Sequence, residues 1–188
     1  MQQQRRITWT QPPEPETLDA LYQIEELEAL GKRKGAQAEL TRLRGEVGAA
    51  EVDEWRITLR TLSVLDKSRY FAHVRTVEPW LDEMFSAQDG DAGQERAPLT
   101  ITAYRAALVL ASIGGMEKRR RLVLDTDSRD GWEPCPLPAE WVTVAGYLGS
   151  APPALHEALA VAADALNPQV MLRGTTEQAK KYGGVSGS

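Results

Sequence analysis

The sequence predicts a mainly α protein with a small β element, an α+β domain carrying extended N- and C-terminal arms. Three observations predict it. Apolar side chains recur at helical spacing through several stretches. Only one stretch alternates clearly with a period of two. Both ends are built from polar, Pro-rich or Gly/Ser-rich sequence.

Residues 1–15 read as an extended arm, because Pro12, Pro13 and Pro15 fix φ and remove backbone donors. A helical segment, 16–50, follows. Glu16 and Asp19 suit the N-terminal end of its dipole, and Leu18, Leu21, Ile24, Leu27 and Leu30 recur every three residues. The run 31–35 interrupts it, and Leu40, Leu43 and Val47 mark a second helical piece.

The main α+β domain is expected over 51–168, with a flexible linker at 86–98. Trp55, Ile57 and Leu59 alternate with Arg56, Thr58 and Arg60, the pattern of a half-buried strand. Ser63 followed by Asp66 resembles a capping box. The helix it opens carries Val64, Phe71, Val74, Leu81 and Phe85 on one side, and Pro79 is expected to kink or restart it. Thr100 or Thr102 is expected to cap a helix over 103–113. That helix is apolar on nearly all sides, as a central core helix is, and Gly114-Gly115 is expected to end it.

Leu122-Val123-Leu124 reads as a second short strand and 125–138 as a loop. A helix is expected from Pro138 to Leu148. Another follows Pro152-Pro153, with Leu155, Leu159, Ala162 and Leu166 on one face, and stops at Asn167-Pro168. Residues 169–188 read as a flexible tail. The expected core is Trp55, Ile57, Leu59, Phe71, Val74, Leu108, Val109, Leu110, Leu124, Leu159 and Leu166.

Composition excludes several function classes. With 22 Lys+Arg against 27 Asp+Glu, the net charge of −5 argues against a surface devoted to nucleic-acid phosphates or anionic lipid. A single cysteine, Cys135, allows no intrachain disulfide. The polar N-terminus leads into no apolar core of a signal peptide, and the most apolar stretch, 106–113, falls far short of the roughly 20 residues of a membrane span. A cytoplasmic protein with no membrane partner is the expectation.

Tested for chemistry, the residues yield no catalytic or metal set. Asp125, Asp127, Asp130 and Glu133 suggest a cation loop, but the spacing fails. Counting from Asp125, a calcium loop's glycine position falls on Asp130 and its bidentate acid on Pro136. Counting instead from Thr126, so that Gly131 fills the glycine position, puts Leu137 at the acid position. A solvated loop is the better reading. His73 has Val77 four residues on, and His156 has Ala160, so neither makes a zinc pair. Cys135 lies between prolines with no nucleophile motif around it. Gly114-Gly115 and Gly146 with Gly149 lack the Lys and Ser/Thr of a phosphate-binding loop. No cofactor is expected.

Two basic runs, 32–34 and 118–121, fit either phosphate contacts or charges placed to complement a helix C-terminus; the second is preferred. Of five tryptophans, Trp9 lies in the arm and Trp132 in the acidic loop, outside the predicted elements, where tryptophans serve as partner anchors or fold back on the domain. The candidate partner-binding residues are therefore Trp9, Trp132, Arg119, Arg120 and Arg121.

The unit Trp55-Arg56-Ile57-Thr58-Leu59-Arg60-Thr61-Leu62-Ser63, a strand feeding a capped helix, resembles the core of small tail-assembly proteins of tailed bacteriophages. Gly131-Trp132, Pro136-Leu137-Pro138-Ala139-Glu140-Trp141 and Leu166-Asn167-Pro168 are similar in character, so the resemblance spans about 55–168 and leaves out the N-terminal helix. It implies a non-enzymatic protein that binds other phage components, such as the tape measure protein, or builds the virion. It carries over no functional residue. Its expected partners are other subunits of an assembly, copies of itself included. Trimming 1–15 or 170–188 is then expected to spare the fold and weaken assembly. The alternative is a nucleic-acid-associated regulator using 32–34 and 118–121, and a cysteine- or metal-dependent enzyme is a third class.

Overall fold

The computed structural model describes residues 3–29, 35–86, 93–124, 131–168 and 170. The described elements run β1 (Gln4–Thr10), α1 (Pro15–Ala29), α2 (Ala36–Gly48), β2 (Glu51–Arg60), α3 (Val64–Ser86), α4 (Gly93–Ser112), β3 (Ile113–Leu122) and β4 (Glu133–Pro134). A 3-10 turn (Ala139–Val142), α5 (Val144–Ser150) and α6 (Pro153–Leu166) follow. The strands form one antiparallel sheet in the order β1-β2-β3-β4. The fold is α+β, as the sequence predicts. Among the described residues no helix is long and apolar enough to cross a membrane.

The chain divides into two compact units. One comprises 1–7, 57–116 and 136–188, and the other 8–56 and 117–135. The segment 16–50 lies wholly within the second unit, whereas 51–168 contributes to both, because the division falls inside β1 and β2 and immediately C-terminal to Met116 in β3.

The first unit is built around α4, which packs on α3, α5 and α6. Ala103, Ala106, Ala107, Leu108 and Val109 are fully buried, so α4 is the central helix its composition demands. It extends further toward the N-terminus than expected. It begins at Gly93, so neither Thr100 nor Thr102 caps it, and the Thr102 hydroxyl instead donates to the Pro98 carbonyl at 3.0 Å. The part of the expected linker at 93–98 is therefore helical, and 87–92 lie outside the described residues. Ser112 passes straight into β3. Gly114-Gly115 belongs to that strand instead of capping the helix, and a Cβ on Gly114 would come within 3.2 Å of the Arg60 side chain.

The capping box is present. Ser63 Oγ accepts from the Asp66 N–H at 3.3 Å, and Asp66 Oδ2 accepts from the Ser63 N–H at 3.2 Å. The inward stripe of α3 is Tyr70, Val77 and Leu81 with Val74 half-buried, so Val74 and Leu81 lie on it as predicted and Tyr70 takes the place of Phe71. Phe71, expected in the core, is 56% exposed. The spacing 70, 74, 77, 81 follows the helical period more closely than a stripe through 71. Pro79 stays within one continuous helix. The bond it cannot donate belongs to the carbonyl of Arg75, and both residues are exposed, so water can serve that carbonyl.

Thr143 splits the helix expected over 138–148 into a 3-10 turn and α5. Its Oγ1 accepts from the Gly146 N–H at 3.0 Å. Leu155, Leu159 and Ala162 of α6 are buried and Leu166 is half-buried. Asn167 ends that helix, as predicted. In β2, Ile57 and Leu59 are fully buried.

In the second unit α1 packs on α2. Ile24, Leu43 and Val47 form its core, with Ala20, Leu21, Leu27 and Val123 against them. Leu124, expected in the core, is 46% exposed. The N-terminal arm is corrected here. Gln4–Thr10 is a paired strand, because the Gln11 N–H donates to the Asp53 carbonyl and the Thr61 N–H to the Gln3 carbonyl, both at 2.9 Å. This antiparallel register sets Trp9 opposite Trp55 and Thr10 opposite Glu54.

Candidate functional site

Four of the five candidate residues lie on or beside β3, and the fifth is on β1; all belong to the second unit. The run 118–121 is not at a helix C-terminus. It lies in the C-terminal half of β3, and side chains there alternate between the two faces of the sheet.

On one face, Glu54 of β2 receives both arginines. Arg119 Nε donates to its Oε2 at 2.5 Å, Arg121 Nε to its Oε1 at 3.4 Å, and the Thr10 hydroxyl to its Oε1 at 2.9 Å. The side chains of Glu54, Arg119 and Arg121 are 9%, 10% and 14% exposed. Burial pushes the Glu54 pKa up. Hydrogen bonds from Arg119 and Thr10, with the charges of Arg119 and Arg121, more than offset this and leave it below the usual carboxylate range. Trp132 completes this face: the guanidinium carbons of Arg56 and Arg119 lie 4.0 and 4.6 Å from its ring centroid. Arg56 also pairs with Glu117 at 3.4 Å.

On the other face Trp9 stacks on Trp55, with centroids 4.9 Å apart and rings 8° from parallel. The Lys118 ammonium lies 5.7 Å from the Trp55 ring centroid and pairs with Asp53 at 2.7 Å. Arg120, 66% exposed, pairs with Asp53 at 3.4 Å and Glu51 at 3.6 Å. Asp53 is raised by burial and lowered by Lys118 and Arg120, with a net shift downward.

The structure thus sets the five candidates on one stretch of sheet but on opposite faces, Arg119, Arg121 and Trp132 on one and Trp9 and Arg120 on the other, each engaged with the protein itself. The residues that engage them (Glu51, Asp53, Glu54, Trp55 and Arg56) went unnoticed as partners in the sequence. The available signal was the charge pattern of Glu51–Arg60 set against Glu117–Arg121, readable only once the register is known.

The remaining chemical candidates stay apart. The His156 Nδ1 is 3.2 Å from the Tyr147 hydroxyl, and burial holds His156 below its ordinary pKa. His73 is lowered by burial in α3, and burial pushes the Cys135 thiol up, away from a reactive thiolate. Glu133 is in β4, while Asp125, Asp127, Asp130 and the run 32–34 lie outside the described residues. Among the described residues no group of three or more His, Cys, Asp and Glu is placed to hold a metal ion.

A different surface of the second unit escaped the sequence reading. Leu18, Leu21, Tyr22, Ile24, Glu25 and Glu28 line a groove of about 370 Å³ along α1. Tyr22 is 59% exposed there. No known protein family, curated protein or solved structure matches this chain.

Proposed function

We propose that the chain is a non-enzymatic assembly or structural protein that works through contacts with other protein subunits. The observation that carries this reading is Phe71. It is a large aromatic residue on a helix whose neighbouring stripe is well buried, yet it stands 56% exposed, and aromatics in such positions serve as anchors for a partner. Val142, 70% exposed beside the buried Trp141, supports the same reading. The resemblance of 55–168 to tail-assembly proteins makes a tailed bacteriophage the proposed context, as a virion component or an assembly factor.

The regulator reading loses ground because every base of 118–121 already has an acidic partner on β2. The test is a native pull-down of the full chain from infected-host lysate, read by mass spectrometry, beside a Phe71→Ser variant. Stoichiometric capsid or tail proteins, depleted by the variant, are expected. Nucleic acid or a single metabolic enzyme would overturn the reading.

A further inference from the structure

We propose that the groove-bearing flank of α1 is a docking surface for a basic amphipathic helix supplied by another protein. The inference rests on the assembly reading and names the chemistry of one partner. Leu18, Leu21, Tyr22, Glu25 and Glu28 follow the spacing i, i+3, i+4, i+7 and i+10, so they form one continuous stripe of the helix. The stripe is apolar toward the N-terminus and acidic toward the C-terminus. It borders the groove of about 370 Å³, where an incoming helix can seat its anchor side chains. The groove runs along the flank of α1: Ile24, which also lines it, is buried against Leu43 and Val47, and Leu21 packs on the same cluster. Tyr22 is left 59% exposed at its edge.

Charge selects the occupant. Every ionisable charge on α1 is negative: Glu16, Asp19, Glu25, Glu26 and Glu28, with no Lys, Arg or His in Pro15–Ala29. Only Glu28 has an ion-pair partner among the described residues, Arg44 at 2.5 Å. A second copy docking through the same face would set acid against acid, and phosphate or anionic lipid would be repelled. A helix with leucine-like anchors flanked by Lys or Arg fits both halves of the stripe.

The test uses the full chain and a fluorescein-labelled helical peptide of about 18 residues, with leucines at i, i+3, i+4 and i+7 and lysines elsewhere. Binding read by anisotropy is expected, about tenfold weaker for Tyr22→Ser and for Glu25→Lys, with only the Glu25→Lys loss shrinking at high salt. A matched peptide with glutamate for lysine should not bind. Both substitutions are at exposed positions, and circular dichroism checks that the fold is kept. Equal binding of the two peptides, no binding by the wild-type chain, or wild-type affinity in both variants would overturn the proposal. So would self-association of the wild-type chain that Tyr22→Ser abolishes, since the occupant would then be a second copy. None of these results bears on Phe71, so the assembly reading stands or falls on its own pull-down.

Discussion

Asn167 closes a connection to Leu62 across 105 residues of sequence: its side-chain oxygen accepts the Leu62 N–H at 2.7 Å. Its amide nitrogen donates to Ser112 Oγ at 3.2 Å and to the Ala163 carbonyl at 3.1 Å. The side chain is 5% exposed, so the end of α6 is tied to the exit of β2 and the end of α4 through one buried amide. Asn167→Ala strands the Leu62 N–H without a partner, and a loss of about 1–3 kcal/mol is expected in urea unfolding. A change within error would show that water replaces the amide.

Arg119 and Arg120 are adjacent in sequence and opposite in environment. Arg119→Glu sets a second carboxylate against the buried Glu54 and should cost about 3–5 kcal/mol. Arg120→Glu affects a side chain 66% exposed and should cost only about 0.5 kcal/mol or less. Paired thermal melts decide it; equal shifts would remove the distinction between the two faces.

Acid should weaken the second unit through Glu54 and Asp53. Both have folded-state pKa values below the ordinary range. Their contribution is therefore complete above the unfolded-state values of about 4 and is lost as the pH falls toward the folded-state ones. Glu54→Gln should lower stability at neutral pH and flatten its decline below about pH 4. Unfolding followed from pH 7 to pH 2 checks this, and parallel curves for the two proteins would refute it.

Gly146 and Gly149 should respond to alanine with opposite signs. A Cβ on Gly146 would sit 2.2 Å from the Glu140 carbonyl oxygen, so Gly146→Ala must displace backbone and destabilise the 3-10 turn and α5. Gly149 has nothing within 4 Å of a Cβ, and there alanine should gain up to about 1 kcal/mol of helix propensity. Melting temperatures of the two variants suffice as a check.

Removal of residues 1–10 should destabilise the protein instead of merely weakening assembly, as an arm would. It deletes a strand and the Trp9–Trp55 stack, whose pairing alone contributes about 0.5–1.5 kcal/mol. An unchanged melting temperature would restore the arm reading.

Local sequence determined the parts of this protein that local physics controls. The apolar period marked α2, α4 and α6; Ser63 and Asp66 marked the start of α3; Asn167-Pro168 marked the end of α6; and the alternation of Trp55 to Arg60 marked the second half of β2. Each signal lies within a few residues, where backbone geometry and helix capping operate. The tertiary structure decided β1, β3 and the fate of the five candidate residues. β3 carries charge on both faces, so no apolar alternation announces it. The run becomes a strand because Glu54, 65 residues before Arg119, neutralises one face while Asp53 and Trp55 engage the other. Whether Trp9 and Arg119 to Arg121 face a partner or their own sheet is a question of cross-strand register, and only the folded chain sets that register.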